Sequence, residues 1–175
     1  GFLTVVVEES FELKYDYSTN IVFKIKEGPR SILRSVEVGG NRLMDDRRIL
    51  RLLGLRIGRP LNLTALGHNY SLLEYEYHKL GKLIFSIEHS YRPGEDVDLN
   101  LLINEGPDVY INSVAVIGLE TVDTLFVLRE LAFKSGDRYN SELVQLSERQ
   151  LFEASLFSLV DITPKKSSRE GTFCR

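Results

Sequence analysis

The sequence predicts an α+β fold in which one small β-α-α-β-β unit is repeated in tandem. A long series of residues recurs at a constant offset of 78 positions, and within each copy two helical patterns lie between stretches that have the two-residue period of strands. A return through two helices places the first strand parallel to the last, and a hairpin joins the last two strands. Each unit would therefore be a three-stranded mixed sheet with two helices on one face.

Turn residues and apolar residues recur together. Glu27-Gly28-Pro29 is found again as Glu105-Gly106-Pro107. At the same offset, and with no gap, the matching pairs include Ser35 and Ser113, Val36 and Val114, Gly40 and Gly118, Asp45 and Asp123, Gly58 and Gly136, Asn62 and Asn140, and Leu73 and Leu151. We therefore expect three segments: residues 1–29 as the C-terminal hairpin of a preceding unit, residues 30–107 as a complete unit, and residues 108–175 as a unit truncated in its last strand.

A strand and a short helix are predicted for the first half of the middle unit. Ile32, Val36 and Val38 share one side of an extended run, which a glycine pair ends. The equivalent residues 113–116 predict the same strand in the third copy. From Asp45 to Leu53, apolar residues have helical spacing and predict the short helix.

A second, longer helix is predicted after a turn. Asn62 or Thr64 can accept the unpaired amide hydrogens at its start, and the helix should reach about Lys79. Gly54 and Gly81 stand where left-handed residues would end the first and second helices. The expected apolar line of the second helix is Leu66, Asn69, Tyr70, Leu73 and Tyr77.

Two strands joined by a hairpin complete the unit. Alternation predicts one strand from Leu83 to His89 and another from Val97 to Ile103, with turn residues between them. Leu83, Phe85 and Ile87 should face the core. Under the predicted topology the first of these strands lies at the sheet edge and leaves one row of amide and carbonyl groups unpaired.

Composition and charge argue against several classes of function. The net charge is −3, from 22 basic and 25 acidic residues with interspersed signs, so nucleic acid is not an expected partner. The single cysteine, Cys174, allows no disulfide framework and no thiolate metal site within the chain. His68, His78 and His89 lack metal-ligand spacing, and no nucleophile elbow, phosphate loop or dinucleotide glycine pattern occurs. We expect no catalytic residue, no metal and no cofactor.

The order of these features resembles the POTRA (polypeptide-transport-associated) domains of the outer-membrane β-barrel assembly protein (BamA-like) family. The resemblance is carried by the Glu-Gly-Pro tripeptide, the Gly-x-x-x-Asn turns at residues 58–62 and 136–140, the helix ending at Gly81 and the hairpin. Ser155-Leu156-Phe157 resembles the frequent glycine-leucine-phenylalanine segment of that family, with Ser155 in place of the glycine. One departure is that Gly40-Asn41 in one copy is Gly118-Leu119 in the other.

The resemblance implies a periplasmic array, attached to a C-terminal membrane β-barrel outside this sequence. Its implied partners are unfolded outer-membrane protein polypeptides and accessory lipoproteins of the assembly complex. The same residues fit related arrays of two-partner secretion and organellar import transporters. A structural spacer that binds no client is a further alternative.

An extended client could add a strand to the exposed sheet edge, because main-chain hydrogen bonds demand little of the client sequence. The client-binding edge strand would consist of Leu83, Ile84, Phe85, Ser86, Ile87, Glu88 and His89. The expected hinge between units consists of Glu27, Gly28, Pro29, Glu105, Gly106 and Pro107. Among the helix tyrosines, Tyr75 is the one expected to offer an exposed contact.

Overall fold

The computed structural model describes residues 2–13, 18–165 and 172–173. Its strands are β1 (Val6–Leu13), β2 (Thr19–Lys26), β3 (Ile32–Gly39), β4 (Ser86–Tyr91), β5 (Asp96–Asn104), β6 (Tyr110–Ile111) and β7 (Thr172–Phe173). Its helices are α1 (Asp46–Leu52), α2 (Leu63–Lys79), α3 (Thr124–Glu130) and α4 (Ser141–Glu153). The predicted α+β fold is confirmed.

The chain divides into two compact units. The first comprises Gly1–Tyr70 and Ile87–Ile103, and the second comprises Ser71–Ser86 and Asn104–Arg175. In the first unit, β1 and β2 form an antiparallel hairpin that runs in register from Val6 opposite Lys26 to Leu13 opposite Thr19.

The sheet of the middle repeat has the strand order β3-β5-β4. β3 and β5 are parallel, and the sheet is mixed, as the topology predicts. The buried residues of β5 alternate strictly with exposed or half-buried ones, and they are Val97, Leu99, Leu101 and Ile103. The central strand thus contributes one complete face to the core.

A β-bulge alters the predicted facing of β3. The register with β5 shifts between Leu33 and Ser35, so that the intervening Arg34 is an extra residue. Leu33 is paired with buried Val97 and is itself buried, whereas Ile32 is only half-buried. The prediction that Ile32 shares the core face with Val36 and Val38 is therefore wrong, because the bulge changes the alternation after Leu33.

Side-chain caps and glycines bound the helices as predicted. Asp45 accepts a hydrogen bond from the Arg48 amide at the start of α1, and Asn62 accepts one from the Ala65 amide at the start of α2. Gly81 follows α2 with a φ of 75°, and the Lys82 amide bonds to the carbonyl of Tyr77. This bond, five residues back, belongs to the Schellman arrangement, which needs a left-handed residue.

Backbone hydrogen bonds repeat at the same offset as the sequence. The Gly58 amide donates to the Leu33 carbonyl over 2.8 Å, and the Gly136 amide donates to the Ile111 carbonyl over 2.7 Å. Gly40 and Gly118 have φ of 84° and 81°, so the turn keeps its left-handed glycine although Leu119 replaces asparagine.

The third repeat has a shorter first strand than predicted. β6 covers Tyr110–Ile111 and pairs in parallel with β7, which lies where the last strand is expected to start. Residues 113–116 are outside any strand. In the middle repeat the equivalent Ser35 pairs with Asp98 of β5, whereas within the described residues no strand pairs with residues 113–116. Residues 166–171, and Cys174, lie outside the described residues.

Candidate functional site

Strand β4 lies at one edge of the middle sheet, with β5 on its other side. Within the described residues no strand pairs with its outer side, and β3 forms the opposite edge. β4 begins at Ser86 rather than at Leu83, because the Phe85 amide bonds to the carbonyl of Lys82 and closes a turn. It extends to Tyr91, two residues beyond the predicted end. Of the seven predicted edge residues, only the four from Ser86 to His89 are in the strand.

The side chains alternate along this segment. Leu83, Phe85 and Ile87 are half-buried, whereas Ile84 is 44% exposed. The remaining outward side chains are Ser86 and Glu88, and His89 is exposed as well. Phe85 stacks on Tyr77 with ring centroids 4.4 Å apart and an interplanar angle of 16°. The facing expected from the sequence is therefore observed, although the inward residues are only partly covered.

An aromatic row follows one face of β4. The hydroxyl of Tyr70 on α2 and Nδ1 of His89 share a hydrogen bond of 2.8 Å. His89 is also stacked with Tyr91, two residues further along the strand, at 6.1 Å and an interplanar angle of 7°. Burial raises the pKa of Tyr70 to about 12, so its hydroxyl is protonated near neutral pH. Tyr91 and the Tyr70 contact were not predicted; the alternation of Ile87, His89 and Tyr91 is the sequence signal that could have extended the strand.

The open face of the sheet carries polar and charged side chains around the exposed Leu102. Arg34 donates through Nε to Asp98 over 2.9 Å, and its guanidinium holds the pKa of that carboxyl below its usual value. Glu37 on β3 lies opposite Asn100 of β5 in the register. Glu88 on β4 borders the same shallow depression as these two residues.

The second Glu-Gly-Pro linker is held by contacts to the end of α2. The hydroxyl of Tyr77 donates to Oε1 of Glu105 over 3.2 Å. Burial, together with the charge of Glu105, raises the pKa of Tyr77. Lys82 donates to the carbonyl of Gly106 over 3.1 Å, and Gly106 has a φ of 65°. The expected hinge residues Glu105 and Gly106 are therefore fixed in position by side chains of the same unit.

An ion cluster lies beside this linker. The carboxylate of Asp108 is 3.0 Å from Nζ of Lys82 and 2.6 Å from Arg138. The hydrogen bond from Lys82, and then the charge of Arg138, lower the pKa of Asp108. Arg138 also donates to the carbonyl of Leu80, close to the end of α2, where a cation is favourable. A Cβ at Gly81 would lie 2.4 Å from Nε of Arg138, so this glycine has a packing role in addition to its left-handed φ.

The first linker is held differently. Glu27, Gly28 and Pro29 are exposed, and Arg30 lies over the ring of Phe2 at 5.7 Å. A Cβ at Gly28 would lie 2.2 Å from the Thr4 carbonyl oxygen, so close backbone approach requires glycine here.

Tyr75 is not the free surface tyrosine that the sequence predicts. It is half-buried, and its hydroxyl donates to Oε1 of Gln145 over 3.1 Å. Lys79 lies over its ring at 5.7 Å. The partner residue is 70 positions away in the chain, and helical periodicity alone carries no signal for such a contact.

Residues 31–106 match the family model described as POTRA: Surface antigen variable number repeat. This segment is a POTRA domain. The predicted resemblance to POTRA domains of BamA-like proteins is confirmed. The chain is 28% identical to the outer membrane protein assembly factor BamA of Nitratidesulfovibrio vulgaris over 158 aligned residues. The alignment covers 85% of this chain and 20% of that protein. The chain thus spans about a fifth of the length of this curated relative.

Two solved structures share the POTRA fold. POTRA domains 3–5 of BamA from Haemophilus influenzae match with a TM-score of 0.74 at 15% identity, over 99% of this chain and 71% of that one. BamA from Haemophilus ducreyi lacking POTRA domains 1–3 matches with a TM-score of 0.63 at 13% identity, over 82% of this chain and 28% of that one. At these identities the similarity establishes the fold.

POTRA domains of BamA-like proteins form the periplasmic part of outer-membrane proteins, and the localisation expected from the sequence is confirmed on this basis. Among the helices of the described residues, none has the length and apolar character needed to cross a bilayer. Within the same residues, no group of three or more His, Cys, Asp or Glu side chains is arranged to hold a metal ion.

Proposed function

We propose that this POTRA array binds extended polypeptide chains by strand addition to β4 and holds partner proteins during outer-membrane protein assembly. The observation that carries the proposal is the position of β4 at the sheet edge, where no other strand of the described residues covers its outer side. The relationship to an outer membrane protein assembly factor supports the setting. The module would be non-catalytic.

The energetics of such an edge suit transient binding. About five main-chain hydrogen bonds, each with a net value of roughly 0.5 to 1.5 kcal/mol, would favour the complex by a few kcal/mol. Ordering the client opposes part of this gain. We therefore expect dissociation constants on the order of millimolar to high micromolar. A client held this weakly can leave for the next step of assembly.

The proposed partners are unfolded outer-membrane protein polypeptides, accessory lipoproteins and the membrane β-barrel of the same protein. The boundaries 1–29, 30–107 and 108–175 are part of this proposal, in which residues 30–107 would be one complete binding or docking unit and the two flanking segments would be parts of neighbouring units. Glu27 to Pro29 and Glu105 to Pro107 would separate the units. Arrays of two-partner secretion and organellar import transporters are alternative settings for the same strand-addition chemistry.

A spacer without client binding is the second candidate function. It is favoured by the contacts that fix Glu105, Gly106 and Asp108, because a linker held in this way would keep a constant distance between partners. Such a spacer needs no accessible sheet edge.

Peptide titration separates the two functions. The isotope-labelled chain is titrated with a nine-residue peptide from a membrane-barrel strand, and with the same peptide N-methylated at every residue as a control. Binding by strand addition predicts amide shifts concentrated in β4 with the first peptide and none with the second, because methylation removes the main-chain donors. No shift at millimolar peptide would favour the spacer.

A further inference from the structure

The two faces of β4 differ in the chemistry that they present beside the edge. Ile87, His89 and Tyr91, every second residue of β4, lie on one face of the strand. Tyr70 of α2 contacts His89 on this face. The ring centroids of Tyr70 and His89 are 5.8 Å apart, and His89 is exposed. His89 is thus the exposed member of this row, and Tyr70, Ile87 and Tyr91 are half-buried beside it.

The other face is acidic beside the edge. Glu88 is exposed and forms no ion pair within the described residues, and the same holds for Glu37, two strands away. The third carboxylate in this region, Asp98, is compensated by Arg34. A guest strand next to β4 would place alternate side chains about 5 Å from Glu88, within the range in which opposite charges on neighbouring strands attract.

We propose that the β4 edge selects extended peptides with aromatic side chains on the face of Tyr70 and Tyr91 and lysine or arginine side chains on the face of Glu88. The inference rests on the proposed function, because both sets of contacts require the guest to pair with β4. The period of two in a strand allows one guest to satisfy both faces at once. Main-chain pairing supplies affinity, and the two faces supply selectivity.

The size of the selectivity follows from the kinds of contact. An aromatic pair across neighbouring strands is expected to strengthen binding about three- to tenfold relative to an aliphatic residue. A lysine opposite Glu88 is expected to add a factor of about two to five, and a glutamate in the same place would oppose binding. Glu37 lies two strand spacings from β4, a distance of roughly one Debye length. Salt therefore screens most of its attraction for a basic side chain of the guest.

The test compares three peptides of nine residues on the labelled chain of 175 residues. All have alternating side chains: lysine with tyrosine, lysine with valine, and glutamate with tyrosine. Tyr91→Leu removes the ring at the edge, and Glu88→Gln removes the charge. Tyr110→Leu, at an exposed tyrosine of strand β6, is the matched control, and dispersed amide spectra establish that each variant is folded.

We expect the lysine–tyrosine peptide to bind most tightly. In Tyr91→Leu, its higher affinity relative to the lysine–valine peptide should disappear. In Glu88→Gln, its higher affinity relative to the glutamate–tyrosine peptide should become smaller. Tyr110→Leu should change neither ratio. Shifts on β4 with all three peptides bound within twofold of one another would overturn this inference while the proposed strand addition stands. The absence of shifts with every peptide at millimolar concentration would overturn both.

Discussion

The hydroxyl of Tyr77 donates a hydrogen bond to the carboxylate of Glu105, which joins the last turn of α2 to the second Glu-Gly-Pro linker. Tyr77 is fully buried, and its ring stacks on Phe85 just before β4. One side chain therefore supports both the linker and the segment that leads into the proposed binding edge. Such coupling means that changes at the linker are expected to affect the stability of the same unit.

Tyr77→Phe should destabilise the protein by about 1 to 2 kcal/mol. The ring and its stacking remain, but the Glu105 carboxylate loses a hydrogen bond, and bonds to charged acceptors are stronger than neutral ones. Urea unfolding measures the difference. Tyr75→Phe is the matched control, because it removes a hydroxyl that bonds to the neutral amide of Gln145, and it should cost less. A larger loss for Tyr75→Phe would contradict the role assigned to Glu105.

Phe85→Ala should destabilise the protein by about 2 to 3 kcal/mol. A fully buried phenylalanine costs about 3 to 5 kcal/mol when truncated, and Phe85 is half-buried while stacked on Tyr77. Ile84→Ala, at the neighbouring exposed residue, should change stability by less than about 1 kcal/mol. Thermal unfolding of the two variants side by side checks the facing of this segment, and the reverse ranking would refute it.

The local features of the fold could be read from the sequence, whereas features that depend on distant partners could not. Asp45, Asn62 and Gly81 act within one helical turn of the residues they serve, so their roles follow from their position in the pattern. The bulge at Arg34 depends on the register with β5, and periodicity offers two equally good alternations there. The shift of the β4 start follows from a turn hydrogen bond that competes with the strand at Phe85.

The same division holds for the candidate site. The edge position of β4 follows from topology, and its outward residues follow from alternation. The hydrogen bond between Tyr70 and His89 joins residues 19 positions apart on different elements. The Asp108 carboxylate joins Lys82 and Arg138, which are 56 positions apart in the sequence. The periodicity of a sequence carries no information about contacts between residues so far apart, so these pairs are seen only in the structure.

His78 should make stability dependent on acid. Its Nε2 is buried and has no hydrogen-bond partner among the described residues. Burial lowers the pKa of His78, although the charge of Glu74, 3.7 Å away, and a hydrogen bond with the Leu83 backbone act in the opposite direction. Because the folded pKa is below the unfolded value, the unfolded chain binds more protons in the range between the two values. Stability is thus complete above about pH 6.5 and decreases as the pH falls towards the folded pKa.

The measurement is the melting temperature from pH 8 to pH 5 for the natural protein, for His78→Phe and for His68→Phe, at an exposed histidine on the same helix. His78→Phe should lose part of the acid dependence, and His68→Phe should keep it. Parallel curves for all three proteins would show that His78 does not contribute to the acid dependence.

Ser155→Gly should stabilise the protein by about 0.5 to 1 kcal/mol. Ser155 follows the end of α4 and has a φ of 57°. Among the described residues, it is the non-glycine residue whose backbone is left-handed. An L side chain in this region costs roughly 1 to 2 kcal/mol, and the greater freedom of glycine in the unfolded chain offsets part of the relief.

Ala154→Gly is the matched control for this prediction. Ala154 ends α4 with a φ of −63°, where glycine relieves no strain and only adds freedom to the unfolded chain. Differential scanning calorimetry should therefore show a higher melting temperature for Ser155→Gly and a lower one for Ala154→Gly. A decrease for both variants would mean that the hydrogen bond from the Ser155 hydroxyl to the Glu153 carbonyl outweighs the backbone strain at this position.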